Sequence, residues 1–219
     1  MIAISIIGAN LPDFDHKIKK DNVYKIIIIG LIIFIVLYTL KLPFYIGIII
    51  TLTGFIFYFS NHRGFTHSIW GVILLTILIS GFLICSFQLI NDFFNISNKE
   101  LIFVILILLT SAFSLNKKLY LIFIPFFLIS LFLFGIKDIN FTKIILSLFL
   151  GYLSHIVLDS FSPAGIKLFS PISNKKFFKK FGIIVLIIIL FLGFLNIYFN
   201  LNDFNNIISI IGDRLNNLF

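Results

Sequence analysis

The chain has 219 residues, a mean hydropathy of +1.14 and only 12% charged side chains, about half the charged share of a soluble domain. It cannot cover itself with water-compatible groups, so it belongs in a lipid bilayer. A formal charge of +8 would suit nucleic acid, but the basic residues sit at the ends of apolar runs, where membrane topology requires them. Nucleic acid is therefore set aside as a partner. The single cysteine, Cys85, lies within an apolar run, which excludes an intrachain disulfide framework and a thiolate metal site; any metal must be held by nitrogen and oxygen.

In chain order, residues 1–11 are apolar but too short to cross alone, lack the basic start of a signal peptide, and read as the last half of a helix. Seven apolar runs bounded by charge, Pro or Asn follow, at 24–40, 42–59, 69–90, 101–115, 119–136, 141–158 and 181–199. A membrane span needs about 17 to 25 such residues, so the 101–115 run is short and would have to tilt, thin the bilayer or re-enter. Residues 200–219 mix Ile and Leu with Asn, Asp and Arg, as in a short interfacial helix. The expected fold is all-α: a polytopic transmembrane helical bundle of about seven spans plus a partial N-terminal helix. Residues 1–219 form a single integral membrane domain, with polar motifs at 12–16, 62–68 and 151–165.

Those motifs hold all four histidines and three of the nine acidic residues. In Pro12-Asp13-Phe14-Asp15-His16, Asp13 and Asp15 share a side if the chain is extended, and Asp13 and His16 do if it is helical. A helix-ending Pro-Asp turn is the plainer use of the same residues. His62 and His67 are five apart with Gly64 between them, a spacing suited to a turn leading into a helix that Thr66 or Ser68 could cap. Arg63 offers a planar donor fork for phosphate, or else anchors the interface. His155 and Asp159 are four apart and share one helical face, so both could ligate one metal, or the carboxylate could orient the imidazole.

Topology brings the motifs together. With two spans between 12–16 and 62–68, and four more before 155–159, all three fall on one side of the membrane. That side also carries Lys17, Lys19, Lys20, Lys25, Arg63, Lys117, Lys118, Lys167, Lys175, Lys176, Lys179 and Lys180, against Lys41, Lys99, Lys137, Lys143 and Arg214 on the other. The positive-inside rule makes it cytoplasmic. Four imidazoles and three carboxylates exceed the three protein ligands of a mononuclear catalytic zinc site. The excess favours a dinuclear centre of the kind used on phosphate esters. Mixed His and Asp ligation suits a divalent metal, Zn first, with Mn or Fe as alternatives.

The motifs Gly8-Ala9-Asn10-Leu11-Pro12-Asp13-Phe14-Asp15-His16, His62-Arg63-Gly64-Phe65-Thr66-His67-Ser68 and the 151–165 stretch from Gly151-Tyr152-Leu153-Ser154-His155 to Pro163-Ala164-Gly165 resemble, in order, the three signatures of the YdjM-like family of inner-membrane metal-dependent hydrolases. In some members that family is regulated by the LexA repressor. The resemblance implies a multi-pass helical protein with a metal site, and metal-ligand roles for Asp13, Asp15, His16, His62, His67, His155 and Asp159. More distantly, the pattern is similar to zinc-dependent phospholipase C, a phosphoesterase. One departure stands out: family members commonly begin with a further helix bearing a His, and no His precedes His16 here. Either the start lies upstream or the site is reduced.

The leading expectation is a membrane-bound hydrolase acting on a phosphoester or lipid-linked ester at the cytoplasmic face. Asp13, Asp15 and Asp159 are the candidates for proton transfer, and Arg63 with a second metal for oxyanion stabilisation. Two alternatives use the same ligands without catalysis: a metal-ion transporter or sensor, and a membrane scaffold. Ligands at span ends disfavour transport, whose sites lie near the bilayer midplane. Pro163, Gly165 and Pro171 predict that the chain after Asp159 forms a loop over the site, bearing Lys167 and Phe169. That loop could cover substrate or lie in the headgroup layer.

Overall fold

The computed structural model describes residues 1–13, 20–60, 64–94, 98–135, 139–191 and 194. Asp15, His16, His62, Arg63 and the 200–219 tail lie outside the described residues. The helices are α1 (Ile2–Asn10), α2 (Lys20–Thr39), α3 (Tyr45–Phe59), α4 (Ile69–Phe94), α5 (Lys99–Ser114), α6 (Lys117–Phe134) and α7 (Phe141–Ser160), with a 3-10 turn at Phe65–His67 between α3 and α4. A further helix, α8, covers 179–191. No strand occurs among the described residues, where a lone antiparallel bridge joins Ile166 to Phe177.

Helix starts follow from local chemistry. Asn98, Asn116 and Asn140 each precede a helix, and their side chains accept hydrogen bonds from the backbone N–H groups of Leu101, Leu119 and Lys143, the ordinary way of satisfying an open helix end. The 101–115 run is accordingly a regular helix, α5, of 16 residues.

Among the described residues two helices are long and apolar enough to cross a membrane: 25 residues of α4 and the 20 of α7. At 1.5 Å per residue they measure roughly 37 and 30 Å, against a hydrocarbon core about 30 Å thick. The apolar stretches Val23–Thr39 and Tyr45–Phe59 are shorter. Large apolar side chains point outward on every long helix, among them Ile32, Phe55, Ile77, Phe113, Phe132 and Leu158. That surface suits lipid and not water.

The interior is built around α1 and α7. Ile144, Leu148, Tyr152 and Ile156 recur every fourth residue along α7 and are almost wholly buried, as are Ile4 and Ile7 of α1. The two backbones touch: a Cβ added at Gly8 would overlap the Leu148 carbonyl oxygen, and one at Gly151 would overlap that of Ser5. Small residues at a helix crossing permit this approach in membrane proteins. Gly30 and Gly47 do the same for the α2–α3 hairpin, facing Thr51 and Phe34 respectively. The α1–α7 contact matters most for function, because it sets the residue after α1 beside the last turns of α7.

Candidate metal centre

Each side chain of the site is positioned by a short local rule. The backbone N–H of Leu11 closes on the Gly8 carbonyl. Pro12 has no N–H with which to extend the helix, and Asp13 follows in the turn, its side chain 48% exposed. Ser68 ends the 3-10 turn and caps α4, its Oγ accepting from the Gly71 N–H at 3.1 Å and donating to the Phe65 carbonyl at 2.6 Å. Of the two caps expected, Ser68 therefore serves. Thr66 has another use: its hydroxyl lies 3.1 Å from Nδ1 of His67, and its carbonyl accepts a 2.6 Å hydrogen bond from the Tyr152 hydroxyl. His67, wholly buried, is thus fixed through one ring nitrogen and presents the other to the site.

The free edges converge. Nε2 of His67 lies 3.7 Å from Asp13 Oδ1 and 3.2 Å from Asp159 Oδ2. Nε2 of His155 lies 3.6 Å from Asp13 Oδ1 and 3.5 Å from Asp159 Oδ2. The two imidazoles meet edge to face at 5.6 Å between centroids. Donor atoms of Asp13, His67 and His155 all lie within 4.8 Å of one another, so these three residues could hold a metal ion.

Two observations fit that reading. Most of these separations exceed the roughly 2.7–2.9 Å of a charge-assisted hydrogen bond, whereas ligand atoms about 2.0–2.1 Å from a tetrahedral ion stand roughly 3.3 Å apart. Nε2 of His155 is also shielded from solvent and makes no hydrogen bond, an arrangement that costs free energy unless something else engages the nitrogen. The His67 imidazole, outweighing the opposing effect of burial, holds the Asp13 carboxyl below the usual carboxylate range. That oxygen is ionised, as a ligand must be.

The structure therefore brings together Asp13, His67, His155 and Asp159, one or two residues from each sequence motif. The expected pairing of His155 with Asp159 on one helical face is present. The loop after Asp159 packs against the His67 turn, the Leu168 carbonyl accepting from the Ile69 N–H at 2.9 Å. Sequence reasoning missed Tyr152 and the Thr66–His67 contact. Tyr152 stands three residues before His155 and thus on the same face of α7, a spacing that could have revealed it; Thr66 carried no comparable signal.

A family model described as YdjM inner membrane protein matches residues 1–211. No curated protein and no solved structure shows significant similarity to the chain. The match covers nearly the whole sequence, including all three polar motifs and every helix of the described fold, and the chain belongs to the YdjM inner membrane protein family.

Proposed function

We propose that this protein is a membrane-embedded, metal-dependent hydrolase that cleaves a phosphoester or lipid-linked ester at the cytoplasmic face, in a bundle of about seven spans. The observation that carries the reading is the convergence of Asp13, His67 and His155 from three distant parts of the chain. Ionisable groups at membrane depth are costly and rarely retained without a use.

In this reading Asp13, His67 and His155 hold the ion, Zn before Mn or Fe, and Asp159, whose Oδ2 faces the same two Nε2 atoms, joins them as a fourth ligand. A divalent ion bound there supplies Lewis acidity and a more acidic water. The chain's own residues do the rest. Buried His67 and its Thr66 contact keep the donors in place; half-exposed Asp13 marks the open side, where substrate enters. Asp159 turns Oδ2 toward the Nε2 atoms of both histidines and leaves Oδ1 to accept the proton of an attacking water. Asp15 lies two residues after Asp13 and Arg63 directly before Gly64 in sequence; they are the further proposed catalytic residues, for proton transfer and oxyanion stabilisation. With His16 and His62, Asp15 would complete a dinuclear centre.

The deciding experiment is elemental mass spectrometry of the detergent-purified protein, followed by a phosphoester substrate screen of the metal-loaded form. One or two equivalents of Zn, Mn or Fe per chain, and turnover that disappears on chelation, are expected. Bound metal without turnover on any phosphoester would favour a sensor or transport role, and no metal after reconstitution would sink the hydrolase reading.

A further inference from the structure

The segment after α7 is a closed lobe. Ile166 and Phe177 exchange both backbone hydrogen bonds, at 2.9 and 2.8 Å. Lys167 follows Ile166 and Lys176 precedes Phe177, so the two lysines leave this isolated antiparallel bridge at the same end. Like charges brought side by side in this way repel. Neither ammonium has a carboxylate partner among the described residues.

Both lysines line one cavity of about 350 Å³, between the lobe and the Gly64–Phe65 turn, to which Ser170 and Asn174 add polar groups. No acidic residue stands on its wall among the described residues. The volume falls in the range of about 300–1,000 Å³ typical of small-molecule sites. Gly165, whose φ of +63° favours glycine, also lines it, and a Cβ there would press on the Phe178 ring and the Phe177 carbonyl. A hollow lined by two ammoniums, with no carboxylate among its described lining residues, favours an anion. An anion lying between them would relieve that repulsion.

We propose that this cavity binds a phosphate group, carried on a lipid headgroup or free, between Lys167 and Lys176. Its walls belong to the segments that carry His67 and Asp159, so a phosphate held here would be part of the substrate; that corollary rests on the hydrolase reading, whereas the anion site itself does not.

The test uses full-length protein stripped of metal, so that phosphate on a metal ion cannot mimic the site and the two readings fail separately. Inorganic phosphate is titrated in lipid-free detergent by phosphorus NMR, and phosphatidic acid is titrated into phosphatidylcholine nanodiscs by native mass spectrometry. Saturable binding of either probe is expected, the first identifying a free anion and the second a lipid-borne one. The double variant Lys167→Gln/Lys176→Gln should bind at least about tenfold more weakly, the loss of a charge-assisted hydrogen bond or more. The double variant Lys179→Gln/Lys180→Gln removes the same charge from outside the cavity and should stay within about twofold of wild type. Absence of saturable binding with both probes, or an equal loss in the two double variants, would overturn the proposal.

Discussion

The Tyr152 hydroxyl donates a 2.6 Å hydrogen bond to the Thr66 carbonyl, joining the last long helix to the turn that carries His67 across 86 residues of sequence. It is a buried bond between buried groups. Through it the spacing of His67 and His155 is set by the rigid body of α7, on which Tyr152 and His155 share a face.

Tyr152→Phe should therefore leave the fold intact, lower its stability by about 1 kcal/mol, and weaken metal binding by up to about tenfold. Thermal unfolding and metal titration of the same sample would check both. A loss of stability with unchanged metal affinity would reduce Tyr152 to a packing role.

The glycine crossing offers a sharper separation. Gly151→Ala forces a methyl group into the Ser5 carbonyl and should cost about 1–3 kcal/mol while moving Asp13 away from His155. Gly81→Ala places its methyl at ordinary contact distance from Ile49 and should be close to neutral. Metal content lost in the first variant and kept in the second would show that α1–α7 contact holds the site together.

Each imidazole can be removed in turn. His67→Ala and His155→Ala should both abolish stoichiometric metal, read by elemental analysis of the folded fraction. Asp159→Asn keeps the volume of the side chain and removes its charge; because Oδ2 faces the Nε2 atoms of both histidines, affinity should fall by at least the roughly 10- to 100-fold seen for an outer-shell partner.

Acid should release the metal. Ligand atoms bind only when deprotonated, so protons compete with the ion, and Asp13, whose carboxyl the His67 imidazole holds below the usual carboxylate range, keeps its charge into acid. Apparent affinity should fall as the pH is lowered from neutrality, by up to about one decade per pH unit for each proton taken up on release. Titrations at several pH values give that slope, and an affinity independent of pH would count against ligation by these residues.

Much of the centre was legible before any fold was known. The spacing of His155 and Asp159 declares a shared helical face, and counting apolar runs brings the three motifs to one end of the bundle. Hydropathy was less informative about length. Seven runs suggested spans, and among the described residues two helices are long and apolar enough to cross; one run is visibly shortened by a turn, since α3 begins at Tyr45, three residues into it, and is 15 residues long. The pairing of α1 with α7 was not legible at all. It rests on Gly8, Gly151 and the backbone between their neighbours, and glycines leave no periodic mark that tells one helix which other it will meet.

That pairing also orders events during synthesis. Gly8 precedes Gly151 by 143 residues, and ribosomes add about 5–20 residues per second, so α1 waits on the order of ten seconds for its partner to emerge. Until then Asp13 has no His155 beside it. The candidate metal centre can consequently assemble only once α7 has been made, and a nascent protein stalled short of α7 would lack both His155 and Asp159.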